Sequence, residues 1–61
     1  MKDREHYIKK AKTERGLTDK EIDFFLGQNP RADLLPYFAT LLKHGLEPAE
    51  AAEAVSRTFP E

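Results

Sequence analysis

Two histidines (His6 and His44), one serine (Ser56) and two aspartates four residues apart (Asp19 and Asp23) are the side chains from which this chain could build chemistry. A zinc centre needs about four converging ligands, and no short ligand spacing occurs around either histidine. There is no cysteine, which removes thiolate metal sites and disulfides. Asp19 and Asp23 would lie on one side of a helix, but carboxylates on an exposed first turn are ordinarily solvated rather than catalytic. His44 falls in the last turn of a predicted helix, where a cationic side chain complements the helix dipole. No base can be assigned to Ser56. A chain of 61 residues with a narrow core has little room for a catalytic pocket. The expectation is therefore not an enzyme, with no cofactor, no metal and no small-molecule substrate.

Nucleic-acid binding is the other chemistry to weigh. Residues 1–15 carry six Lys or Arg against three acids, and residues 16–61 carry four against eight. A basic first helix thus sits on an acidic body, with Arg4, Lys9 and Lys12 as its candidate phosphate contacts. Ile22 through Tyr37 can be laid on a helix-turn-helix pattern, which places Arg31 near the start of a recognition helix. Asp23, however, stands where a small residue normally lets the two helices approach, Asp33 replaces an apolar position, and Pro36 falls inside the recognition helix. The acidic remainder also repels phosphate.

These side chains have to be positioned by helices. Leu34-Leu35-Pro36-Tyr37-Phe38-Ala39-Thr40-Leu41-Leu42 is the most apolar run. At about 100° per residue its apolar side chains cover roughly 160°, wider than the ~100° stripe of a surface helix, so it wants two neighbours. Asp33 is the expected N-cap, with Pro36 tolerated in the first turn, where its missing N–H has no partner to lose. Asn29-Pro30 signals a short helical turn at 30–33. The predicted architecture is all-α, a single domain of four short helices at about 2–15, 19–26, 34–44 and 48–57.

Helix 1 has a thin apolar stripe of Tyr7, Ile8 and Ala11, with Met1 as a further member, and fraying of its first residues is expected. Glu5 and Lys9 form its expected i,i+4 pair, and Gly16 ends it. Thr18 and Glu21 form a capping box for helix 2, Ile22, Phe25 and Leu26 share its buried face, and Gly27 ends it. Phe24 points elsewhere, either onto helix 1 or into solvent. Gly45-Leu46 stops the central helix and Pro48 opens helix 4, whose buried side is Ala51, Ala52, Val55 and Phe59; Pro60 limits its continuation. Glu53 and Arg57 pair on its surface. Gly16-Leu17-Thr18-Asp19-Lys20-Glu21 parallels Gly45-Leu46-Glu47-Pro48-Ala49-Glu50 at an offset of 29. Repeats have such periods, but any helix stop followed by a helix start uses this vocabulary, and that plainer reading is adopted.

Leu41 to Val55, with its Gly-x-x-Pro-x-x-Ala run, resembles the first helical hairpin of ubiquitin-associated-like domains. Those are three-helix protein-binding modules, so the resemblance implies binding of a protein partner; it assigns no binding residue. Apolar content of 39% lies below the ~45–50% of typical globular domains, so help from self-association is expected. No apolar run approaches the ~18 residues of a membrane span, and the N-terminus lacks a signal peptide's apolar core, so the expected location is cytoplasmic. The leading functional expectation is a small interaction module that docks a partner protein or itself through Tyr7, Phe24, Tyr37 and Phe59. A DNA-binding regulator of helix-turn-helix type is second, and a structural or assembly component third.

Overall fold

Phe38 and Leu35 have no measurable exposure, and Leu34 and Ala39 lie buried beside them. They belong to the leucine-rich run, which forms the helix that touches every other element of the computed structural model. The structure describes residues 4–59. Its helices are α1 (Arg4–Glu14), α2 (Asp19–Gln28), α3 (Leu35–Lys43) and α4 (Pro48–Thr58), with a 3-10 turn at Ala32–Leu34. No strand occurs among the described residues. The all-α architecture and the order of its four helices are therefore as the sequence predicts. The proposed start of helix 1 at residue 2, the place of Met1 in its stripe, and Pro60 lie outside the described residues.

The start of the central helix differs from expectation. Asp33 is not its N-cap: Leu34 holds that position without a side-chain hydrogen bond, and the Asp33 carboxylate accepts from the Arg31 guanidinium at 3.1 Å. Burial of Ala32 and Leu34, in a turn packed on α1, holds a tight 3-10 geometry there. Tertiary burial outweighs a solvent-side cap worth about 1 kcal/mol. Pro36 then stands in the first turn of α3, as its missing donor requires.

The end of α2 also differs. Gly27 does not stop the helix, which runs on to Gln28 and is closed by Asn29 in an extended conformation. Gly27 is not one of the positive-φ glycines, so no glycine is needed to end this helix. Pro30 does not open a helical turn either, because the 3-10 turn begins two residues later.

The two short links behave as predicted. Gly16 and Gly45 take φ of 72° and 100°, values that L side chains adopt only at a cost. At the second link the Leu46 N–H donates to the Leu41 carbonyl at 3.2 Å and the Gly45 N–H to Leu42 at 3.0 Å, the Schellman pattern. At the start of α2 the Glu21 N–H donates to Thr18 Oγ1 at 3.2 Å while the Thr18 N–H donates to the Glu21 carboxylate at 2.9 Å. The Glu47 N–H likewise donates to Glu50 at the head of α4. Thr18→Ala is expected to lower stability by about 1 kcal/mol, read as a reduced urea midpoint with unchanged slope. A midpoint equal to the parent's would mean that the box does not hold the start of α2.

The helices form two stacked hairpins. Lys20 and Phe24 of α2 lie beside Pro48 and Ala49 of α4, and Asn29 at the far end of α2 reaches Ser56 of α4. These two helices therefore run parallel. The C-terminal turn of α1 likewise meets Ala39, Leu42 and Lys43 at the C-terminal end of α3. One layer is α1–α2 and the other α3–α4, with Phe25 and Phe38 between them at a ring separation of 4.8 Å. Buried Ala51 and Ala52 permit the close approach of α4, while Val55 fills the space beneath.

Surface pairing follows the sequence in part. Glu53 and Arg57 are bonded on α4. On α1 the i,i+4 pair is Lys10–Glu14 at 4.0 Å rather than Glu5–Lys9, and Lys12 reaches across the link to Asp19 at 2.6 Å. Each of these is exposed and contributes well under 1 kcal/mol.

Candidate docking surfaces

Among the described residues two large hydrophobic side chains remain in solvent: Phe24 is 37% exposed and Tyr37 50%. Phe24 faces neither α1 nor the core. It stands on the flank of α2 above the first turn of α4, in a shallow and largely apolar groove with Lys20, Glu21, Glu47, Pro48 and Ala49. Helix spacing produces this position, because Ile22 and Phe25 commit the opposite side of α2 to the core.

Tyr37 belongs to a second apolar surface with Thr40, Leu41, Val55, Thr58 and Phe59, between α3 and the end of α4. Its ring rests on Phe59 at a centroid distance of 4.7 Å and an interplanar angle of 45°. Phe59 is partly buried against the core, so it acts as the seat on which the tyrosine is held. Such aromatic contacts contribute about 0.5–1.5 kcal/mol beyond burial. Tyr7, the fourth aromatic candidate, is partly buried on α1, packed on the core and edge-on to His6 at 5.5 Å. The structure thus joins Tyr37 with Phe59, sets Phe24 apart at the other end and on the other flank of α4, and turns Tyr7 inward.

The cationic candidates are scattered. Arg4 and Lys9 are exposed on α1, Lys12 is held by Asp19, and Arg31 is held by Asp33. The helix that a helix-turn-helix reader would lay in a groove is here α3, whose Leu35, Phe38 and Ala39 form the core.

Among the described residues no group of three or more His, Asp or Glu side chains is placed to hold a metal ion. Asp19 and Asp23 are exposed, and Asp19 is engaged by Lys12. His44 caps the end of α3, its backbone N–H donating to the Thr40 and Leu41 carbonyls. No described helix is long and apolar enough to cross a membrane.

Sequence reasoning did not single out Asn29 as a packing residue. Among the described residues it is the buried polar side chain, at 5% exposure. Its Nδ2 donates to Ser56 Oγ at 3.3 Å and its Oδ1 accepts from the Arg31 N–H at 3.1 Å. Asn-Pro-Arg is itself a signal for a side chain that bonds the backbone two residues on.

No family model, curated protein or solved structure matches this chain.

Proposed function

We propose that this chain is a small helical protein–protein interaction module, working in the cytoplasm and docking through Phe24 and through the Tyr37–Phe59 surface. The observation that carries the reading is the exposure of Phe24 and Tyr37, each in a largely apolar setting. A chain with only 39% apolar residues leaves two of its six aromatic rings of Phe and Tyr outside a core that needs bulk. Exposed aromatics of this kind dominate the energetics of interfaces.

The reading is tested by placing a photoreactive side chain at Phe24 or Tyr37, and at Lys9 and Glu50 as exposed polar controls. Irradiation in the native cell should give a discrete protein adduct from the aromatic positions and none from the controls. Adducts absent everywhere, or equal at all four positions, would contradict it.

A further inference from the structure

The apolar groove at Phe24 has a rim whose charge the fold leaves unbalanced. Its lining sets Glu21 of α2 and Glu47 at the head of α4 beside Phe24, Pro48 and Ala49, with Lys20 as its cation. The Glu47 N–H donates to the Glu50 carboxylate at 3.3 Å, which adds a further negative charge at the same helix start. The starts of α2 and α4 contribute about half a positive charge each, and the surplus stays negative.

Other acids of the chain are answered by cations. Among the described residues the ion pairs join Glu14 with Lys10, Asp19 with Lys12, Asp33 with Arg31 and Glu53 with Arg57. None of them takes in Glu21, Glu47 or Glu50. Glu21 is instead held by the Thr18 N–H and hydroxyl, which both bond its Oε1, at 2.9 and 3.3 Å. No described residue bonds its Oε2. A carboxylate whose orientation is already set loses less freedom on taking up a cation.

These charges decide what can lie on the exposed ring. An anionic surface, whether nucleic acid or acidic protein, is repelled. Two copies of the groove face to face would bring Glu21 and Glu47 against their own images, with the same result. The basic helix α1 of another copy has the right sign but lacks an anchor. Its Tyr7 and Ile8 are partly buried on the core, and the exposed large hydrophobics are Phe24 and Tyr37. An apolar floor beside carboxylates asks for both features in one segment.

Resting on the reading of this chain as an interaction module, we infer that the Phe24 groove takes a basic segment of a partner protein, in which a large apolar side chain is flanked by lysine or arginine. The apolar side chain lies on Phe24, Pro48 and Ala49, and the flanking cations meet Glu21 and Glu47. Burial of Phe24 supplies most of the affinity, and the carboxylates supply the choice of partner.

Selection of a randomised peptide library on the purified chain tests this. Enriched peptides should carry Leu, Phe or Trp next to Lys or Arg, and their affinity should fall as salt rises. Phe24→Ser should weaken them by about tenfold or more, while Tyr37→Ser leaves them unchanged. Glu21→Gln combined with Glu47→Gln should weaken them by about threefold or more and flatten the salt dependence. Glutamine keeps an acceptor oxygen for the caps, so this variant should retain the helical circular dichroism of the parent. Enriched peptides that are neutral or acidic, binding indifferent to the two glutamines, or no enrichment at all would overturn the inference. Photoadducts at Phe24 that contain only a second copy of the chain would do the same. In each case a protein adduct at Phe24 in the cell leaves the interaction reading standing, and only adducts absent everywhere would remove that reading as well.

Discussion

Phe38→Ala should abolish cooperative folding of this chain at room temperature. Phe38 is fully buried, its ring 4.8 Å from that of Phe25 at the junction of the two hairpins. Truncating a buried phenylalanine costs about 3–5 kcal/mol, the sum of lost transfer energy and the cavity left behind. A domain of this size has a total stability of only about 3–5 kcal/mol. The loss is therefore comparable with everything the fold has in reserve. Helical circular dichroism should fall and the sharp thermal transition should disappear. Phe38→Leu keeps most of the volume and should cost about 1–2 kcal/mol, lowering the transition by about 4–15 °C while preserving its cooperativity. A cooperative transition for Phe38→Ala within a few degrees of the parent would show that α3 is not the element on which the others rest.

The second large effect belongs to a polar side chain. Asn29→Ala removes both the tie to Ser56 on α4 and the acceptor for the Arg31 N–H in the turn that leads into α3. A partly buried donor left unmet costs about 1–3 kcal/mol. Ser56→Ala removes only the tie between α2 and α4 and should cost about 0.5–1.5 kcal/mol. Urea denaturation of the two variants separates these roles. If Asn29→Ala costs no more than Ser56→Ala, the bond to Arg31 does not hold the turn, and Asn29 matters only as a link between the layers.

The parts of the fold that were legible in the sequence are those decided within a few residues. Thr18 with Glu21, and Gly45 with Leu46, are complete local devices: donor, acceptor and allowed backbone region all lie inside one turn. The apolar run from Leu34 to Leu42 is similarly explicit, because its arc is too wide for a helix with one neighbour. What differs depends on competing partners, some of them distant in sequence. Asp33 has the chemistry of a cap, but Arg31 takes its carboxylate while α1 buries Leu34 and Ala32. Gly27 has the chemistry of a stop, but the helix runs on to Gln28 and is closed by Asn29, whose side chain bonds Ser56 and Arg31.

The candidate surface was legible in outline only. The aromatic residues could be named, yet Tyr7, Phe24, Tyr37 and Phe59 occupy three different settings. Tyr7 packs on the core, Phe24 stands alone beside Pro48, and Tyr37 is seated on Phe59. Helical arithmetic gives the direction of a side chain around its own axis but not which neighbour lies there.

The place of α3 at the centre of the fold is most directly examined by amide hydrogen exchange on the purified chain, because α3 carries the fully buried Leu35 and Phe38 and touches every other described element. The slowest amides should lie in α3, at Ala39, Leu41 and Leu42, with α1 opening first. Slowest exchange in α1, with α3 among the first elements to open, would contradict the account.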